Sequence, residues 1–288
     1  MTASPHVAFN LNGEIQTGTQ LAVSLNNRGL HYGDGMFETL RVGRGKIYFW
    51  EDHYFRLMAS MRLVRMEIPM HFSPEYLEGE IHKTLEANDL KSGHARVKIL
   101  VTRQPGGYYT PTKADVDCLI TAEPLDEATY TLNDKGYQVD LYKDFFKLSG
   151  LFSNLKTSSA QLYTVASVFR QENDLDECLL LNEQKAVIEG ISGNVFMVNK
   201  AGELLTPPLS DGCLKGVMRK QIIELAQEQG YTVKEESFNP FALQKAQELF
   251  FTNVIRGLRW TGQYRKKSYQ NTVAQDLTKK LNARILLG

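Results

Sequence analysis

Cysteine is scarce in this chain: three in 288 residues, far apart at Cys118, Cys178 and Cys213. That spacing suits neither a disulfide framework nor a zinc knuckle, and no metal site is expected. The plain reading is of small, reduced hydrophobes in a cytoplasmic protein. Net charge is missing too, because 33 Lys and Arg balance 33 Asp and Glu. The balance argues against a nucleic-acid or anionic-membrane partner, although a local basic pocket can hide within a net of zero. No apolar run approaches the length that spans a bilayer. The segment Met1–Asn10 has no charged stretch followed by an apolar one, so no signal peptide is expected. Repeats and low-complexity tracts are absent.

What is present is an ordinary globular composition, 42% hydrophobic and 23% charged, long enough for two modest domains or one large one. Lys46 to Trp50 reads as a strand, with Asp52 able to cap a following helix that aligns Leu57, Met61 and Val64 beside Tyr54 and Met58. Ser73-Pro74-Glu75 opens another helix with Leu77, Ile81 and Leu85 on one face, closed by Asn88-Asp89. Arg96–Thr102 and Val116–Ala122 read as strands. The run Glu123-Pro124-Leu125-Asp126-Glu127 is a candidate linker.

Beyond it strands dominate. Tyr137–Leu141 alternates. Cys178–Leu181 and Ala186–Glu189 flank a hairpin turn, and Asn194–Val198 and Glu203–Thr206 flank another. A helix follows over Val217–Gln229, stopped by Gly230, and a last one carries Val273, Leu277, Leu281 and Ile285. Two unequal halves without regular strand–helix–strand alternation predict an α+β fold rather than a doubly wound sheet.

Four local features could carry chemistry. Lys156 has apolar neighbours before it and Thr157-Ser158-Ser159 after it. Burial there would free its amine as a nucleophile or base, although any one lysine is more often a solvated surface group. Glu189-Gly190-Ile191-Ser192-Gly193-Asn194 lies between two strands, where the glycines permit a tight backbone that turns Glu189 inward. The plainer reading is a Gly-rich loop with an exposed acid. Leu214-Lys215-Gly216-Val217-Met218-Arg219 leads into a helix whose N-terminus suits a phosphate. It lacks the Gly-Lys-Ser/Thr ending of a Walker loop, and many helices follow a glycine and bind nothing. Arg56, one helical turn past His53, is a phosphate fork or simply a solvated arginine. Tyr32-Gly33-Asp34-Gly35 reads as a turn entering a strand, His31 as structural, and Gly106-Gly107-Tyr108-Tyr109 as a mobile loop.

In order along the chain, several segments together resemble the class IV aminotransferases, which are pyridoxal-phosphate enzymes of fold type IV. The segments are Arg28 to Gly35, His53-Tyr54-Phe55-Arg56-Leu57, Leu155-Lys156, Glu189 to Phe196, Gly216 to Arg219 and Phe251-Thr252-Asn253. The resemblance implies a smaller N-terminal α/β domain over 1–122, a linker over 123–129 and a larger C-terminal α/β domain over 130–288, with the cofactor between the domains. It implies that Lys156 forms the Schiff base and later moves the proton. Glu189 would pair with the pyridine nitrogen and keep it protonated as an electron sink. Arg56, the backbone of Val217 and Met218, and Thr252 would bind the phosphate, with Asn194 beside them. Tyr32, Phe37, Thr39, Arg96, Tyr108 and Asn253 would face a small-molecule substrate. A homodimer with shared active sites is implied.

Within the family, Thr39 after Phe37-Glu38, Asn253 after Thr252, and the segment from Arg96 to Tyr108 with its Thr-Arg-x-x-Gly-Gly-x-Tyr run resemble the lyase branch. That branch forms 4-aminobenzoate and pyruvate from 4-amino-4-deoxychorismate, for folate synthesis. Transamination of branched-chain or D-amino acids is the close alternative, and a cofactor-binding protein without catalysis a remote one. Two departures stand out. Tyr108 occupies the place of the lyases' arginine, and Ser159, Ala160 and Gln161 replace the Asn-Tyr or Asn-Arg pair that often follows the lysine.

Overall fold

The structure, a computed structural model, describes residues 7–287. The absence of a signal peptide was expected from a segment that lies mostly outside these residues. No described helix is long and apolar enough to cross a membrane. The chain forms two compact units. One takes the chain up to Ala128 together with Lys156–Ser159, and the other takes Thr129–Leu155 and the chain from Ala160 onward.

The first unit runs β1 (Ala8–Leu11), β2 (Glu14–Thr17), α1 (Arg28–Tyr32), β3 (Gly35–Gly43), β4 (Lys46–Ile47), α2 (Trp50–Leu63), α3 (Pro74–Ala87), β5 (His94–Arg103) and β6 (Val116–Pro124). Its six strands form an antiparallel sheet in the order β2-β1-β6-β5-β3-β4. β5 alternates strictly, with Ala95, Val97, Ile99 and Val101 buried and Arg96, Lys98, Leu100 and Thr102 half-buried. This is the period-2 pattern of a strand whose two faces meet different surroundings. α2 packs on β3 and buries Leu57, Met58 and Met61; α3 packs on β1 and β6 and buries Leu77, Ile81 and Leu85.

Local chemistry explains where the boundaries moved. The strand read over Lys46–Trp50 is only Lys46–Ile47, because Phe49 adopts a left-handed conformation and caps α2. Asp52 therefore lies inside the first turn, where its charge favours the helix dipole, instead of capping it. Glu123 and Pro124, at the start of the segment expected to link domains, complete β6.

The second unit contains β7 (Tyr137–Leu141), α4 (Gln161–Glu172), β8 (Glu177–Leu181), β9 (Val187–Gly190), β10 (Asn194–Val198), β11 (Leu204–Thr206), α5 (Val217–Glu228), β12 (Val233–Glu235), α6 (Pro240–Leu243), β13 (Glu248–Asn253), β14 (Gly257–Tyr264), β15 (Lys267–Ser268) and α7 (Thr272–Leu287). The order β10-β13-β14-β7-β8-β9 closes on itself, because β9 also pairs with β10. β11 and β12 extend from β10, and β15 pairs with β14. The β14–β7, β7–β8 and β11–β12 pairs are parallel, and the others are antiparallel. β8 is buried throughout and divides its side chains by parity. Leu179 and Leu181 join one apolar cluster, with Val187, Val195 and Phe251. Cys178 and Leu180 join another, with Ile188, Ala166 and Cys213. All three cysteines are free and buried. Mixed sheets and helices of this kind are the α+β architecture expected.

The cap of α3 is testable. Ser73 Oγ accepts the Tyr76 amide at 3.2 Å. Ser73→Ala is expected to cost about 1 kcal/mol in urea unfolding, and an unchanged midpoint would show the cap to be idle.

Candidate active site

Side chains alternate along β3, so Glu38 faces α2 while Phe37 and Thr39 face the opposite way. α2 brings His53 and Arg56 to Glu38 from positions one turn apart. Arg56 Nε and Nη2 donate to the two Glu38 oxygens at 2.7 and 2.5 Å, and His53 Nδ1 lies 2.7 Å from Oε2. Burial alone would raise the Glu38 carboxyl, but the Arg56 charge and the hydrogen bonds from His53 and Arg56 hold it at about 2. An ionised carboxylate only accepts hydrogen bonds, so His53 Nδ1 carries the proton. Burial, helped by the Arg56 and Lys156 charges, keeps His53 below the usual imidazole value despite the pull of Glu38. Arg56 is thus no solvated surface group: Glu38 fixes its orientation.

On the other face of β3, pairing with β5 sets Phe37 opposite Leu100, Thr39 opposite Lys98 and Arg41 opposite Arg96. Residues 156–158 run along the edge of β3. The Phe37 amide donates to the Lys156 carbonyl at 3.0 Å, and the Ser158 amide to the Gly35 carbonyl at 2.9 Å. This pairing sets the Lys156 ammonium over the Phe37 ring, 4.2 Å from its centroid, with Lys98 Nζ at 5.1 Å. Cations are attracted to an aromatic face. Lys156 is therefore anchored to the strand that carries Phe37, Glu38 and Thr39.

The remaining first-unit candidates are more peripheral. Arg96 is half-buried and paired with Glu123 at 3.1 Å. Tyr32 lies against Tyr109 at 5.6 Å between ring centroids and under Arg28 at 5.0 Å. The Gly106–Tyr109 loop, read from sequence as mobile, is tied down: buried Arg28 donates to the carbonyls of Gly106 at 3.0 Å and Tyr108 at 2.5 Å. The Tyr108 side chain is 85% exposed.

In the second unit one row of register collects three candidates. Asn194 of β10 pairs with Glu189 of β9 on one side and with Thr252 of β13 on the other. The turn between β9 and β10 is held by Glu177, whose buried carboxylate accepts the Ile191 amide at 2.9 Å and the Ser192 hydroxyl at 2.7 Å. Burial pushes the Glu177 carboxyl up, against those hydrogen bonds. The turn needs glycine at Gly193, where a Cβ would stand 2.6 Å from the Thr252 carbonyl oxygen.

Asn194 Nδ2 donates to the Leu214 carbonyl at 2.8 Å, which docks the segment leading into α5. The approach is so close that a Cβ on Gly216 would fall 2.0 Å from Asn194 Oδ1. Gly216 is the N-cap of α5 and supplies no side-chain hydrogen bond, so Val217 and Met218 begin the helix without a side-chain cap. In the same row as Asn194, Thr252 Oγ1 is buried without a hydrogen-bond partner. A buried hydroxyl left unpaired calls for an explanation. The start of α5 likewise has no side-chain cap, an arrangement that suits an anion.

Glu189 is 2% exposed, not the exposed acid of the plainer reading. Its Oε1 accepts Lys147 Nζ at 2.6 Å and the Tyr163 hydroxyl at 2.7 Å, and its Oε2 accepts the Leu214 amide at 2.7 Å. Burial and the Glu189 charge push the Tyr163 hydroxyl far up, so it stays a donor. Sequence reasoning missed Lys147 and Tyr163, and also Glu38 as the partner of Arg56. Only the i, i+3 spacing of His53 and Arg56 hinted at the last. Asn253 Nδ2 donates to the Ser192 carbonyl at 3.1 Å, and its Oδ1 accepts the Ile255 and Arg256 amides at 3.1 and 2.8 Å, so its polar atoms help build the β13–β14 turn.

Comparison with known proteins identifies the family. The family described as amino-transferase class IV matches residues 35–260. A putative branched-chain-amino-acid aminotransferase of Methanocaldococcus jannaschii is 29% identical over 94% of this chain and 92% of its own length. An aminodeoxychorismate lyase of Vibrio harveyi is 27% identical over 87% of this chain and 89% of its own. The branched-chain aminotransferase of Thermoproteus uzoniensis, solved with norvaline, shares the fold at a TM-score of 0.87 and 23% identity, over 98% of this chain and 95% of that one.

The low value of Glu38 carries a pH signature. A depressed carboxyl contributes stability that is complete above its ordinary value of 4.5 and is lost as pH falls toward about 2. Glu38→Gln is expected to cost about 3 kcal/mol near neutrality, since it strands Arg56. It should also flatten acid unfolding across that window. An acid profile unchanged by the substitution would remove Glu38 from the account.

Proposed function

The chain belongs to the class IV aminotransferase family, and from that premise we propose that it is a pyridoxal-phosphate enzyme acting as a 4-amino-4-deoxychorismate lyase. The residues present fit the cofactor. Thr252, with its unpartnered buried hydroxyl, and the uncapped start of α5 at Val217 and Met218 suit the phosphate, with Asn194 docking that loop. Arg56, oriented by Glu38, would be a second phosphate ligand. Glu189 would pair with the protonated ring nitrogen, and Lys156 would supply the amine that attaches the cofactor. When bound, pyridoxal phosphate supplies a sink for the electron pair left when a C–H bond near the substrate amine breaks.

Lys156 would take the proton from ring C4 of the substrate on Nζ. The C–O bond to the enolpyruvyl group then breaks, and the ring becomes aromatic. The proton returns to the departing enolpyruvate, giving pyruvate and 4-aminobenzoate for folate synthesis. The observation that carries the lyase reading is Thr39. It shares a sheet face with Phe37, the ring under the Lys156 ammonium, and so offers a hydroxyl on the face of β3 that carries that ring.

A second reading, transamination of branched-chain or D-amino acids, is favoured by the name of the 29% identical relative. The turn-bound Asn253 and the presence of Tyr108 also favour it. Up to proton removal the two readings share every residue. We place the enzyme in the cytoplasm, in keeping with its three free buried cysteines. We read it as a homodimer with shared sites, in which a second copy covers exposed apolar groups of the first unit such as Leu25, Leu30 and Phe55.

Product analysis separates the readings. Pyruvate released from aminodeoxychorismate without a keto-acid acceptor is the expected result, and leucine-to-2-oxoglutarate transfer with no pyruvate would replace the lyase reading by the second. Borohydride should trap the cofactor on Lys156; labelling elsewhere would overturn the cofactor assignment. Thr252→Val should stabilise the cofactor-free protein by about 1 kcal/mol while weakening cofactor binding about tenfold. Unaltered affinity would remove Thr252 from the phosphate site.

A further inference from the structure

Glu189 does not wait alone for a partner. Within the second unit, Lys147 Nζ reaches its Oε1 at 2.6 Å with both side chains largely shielded, 11% and 3% exposed. Tyr163 of α4 donates to the same oxygen at 2.7 Å, and the Lys147 ammonium lies 5.4 Å from the centroid of the Tyr163 ring. The backbone that carries Lys147 is itself pinned. Its amide donates to the Leu181 carbonyl at 2.9 Å, and Lys147 bridges to Asn182 just past the end of β8. The lysine therefore arrives from an anchored segment. Oε2, by contrast, accepts one backbone amide, that of Leu214 at 2.7 Å.

An ionised carboxylate has about four acceptor positions. Two donors fill Oε1 and one occupies Oε2, so acceptor capacity is concentrated on Oε2. A carboxyl this deeply buried and without a cation would favour its neutral form, and a neutral acid cannot hold a protonated ring nitrogen.

We propose that Lys147 is a positioning residue that, with Tyr163, keeps the Glu189 carboxylate ionised and oriented for the protonated ring nitrogen of the cofactor. The inference rests on the pyridoxal-phosphate reading above. The pairing has a second consequence. Because the carboxylate divides its charge between Lys147 and the ring nitrogen, the lysine moderates how strongly Glu189 holds that nitrogen's proton. Tyr163 supplies a hydrogen bond but no charge, so the two residues should behave differently when removed.

The test is equilibrium binding of pyridoxal phosphate to the full-length protein from about pH 8 to about pH 6, expressed as the ratio of variant to wild-type Kd. The ratio cancels the titration of the cofactor itself. For Lys147→Gln the ratio should rise by about tenfold as pH falls across that range, because Glu189 takes up a proton once its cation is gone. Lys147→Arg should restore a ratio near one. Tyr163→Phe should give a small ratio that does not change with pH. Lys147→Met serves as a second uncharged variant if Lys147→Gln does not fold. A pH-independent ratio for the uncharged variants, with only a lowered Tm, would show that Lys147 merely balances a buried charge and would overturn the proposal. Wild-type protein that binds no pyridoxal phosphate would overturn the cofactor reading and this inference together, whereas normal wild-type binding matched by Lys147→Gln at every pH overturns the inference alone.

Discussion

At Asn194 the strand circuit of the second unit closes, and the chemistry of that unit is organised around the closure. The backbone of this residue joins β10 to β9 at Glu189 and to β13 at Thr252. Its side chain holds the carbonyl of Leu214, whose amide in turn reaches Glu189. One short buried side chain therefore fixes the distance between an acid, a hydroxyl and a helix start. The constraint is steric as well as polar, since Gly216 and Gly193 both lie where any Cβ would collide. Neighbouring strands stand roughly 5 Å apart, so a row of three paired residues is a rigid ruler.

Buried charge is the second organising constraint, and in each unit it is met by local partners. Glu38 is answered by Arg56 and His53, and Asp34 by Arg28 and Arg103 at 2.8 and 3.0 Å. Glu189 is answered by Lys147, Tyr163 and a backbone amide. Removing water from a carboxylate is costly unless hydrogen bonds and opposite charge replace it. Each cluster thus demands side chains from two or more elements, and in return holds those elements in register. The Arg28 cluster shows the return. By also donating to carbonyls of the Gly106–Tyr109 segment, Arg28 converts a glycine-rich loop into a fixed one.

Much of the architecture was legible in the residues. The α3 helix was readable from its Ser-Pro-Glu start and four-residue apolar spacing, β5 and β6 from their alternation, and the β8–β9 hairpin from its polar turn. α4 was not, because Ala160 offers no side-chain cap and the helix carries the β-branched Thr164, Val165 and Val168. The short apolar run of β13 carried no decisive period either, since a strand buried on both faces shows no alternation.

For the site, the resemblance carried by the joint order of local motifs nominated Lys156, Glu189, Arg56, Thr252 and the start of α5, where each motif alone favoured a plainer reading. What each of them touches was decided by tertiary structure. Arg56 meets Glu38 across a helix–strand contact. Lys156 sits over Phe37 because residues 156–158 pair with the edge of β3. Lys147 reaches Glu189 from a segment pinned to the end of β8. Asn253 is spent on a turn. None of these pairings follows a sequence period. They arise from strand register and from the need to neutralise charge once water is excluded, and both are settled only when the chain is folded.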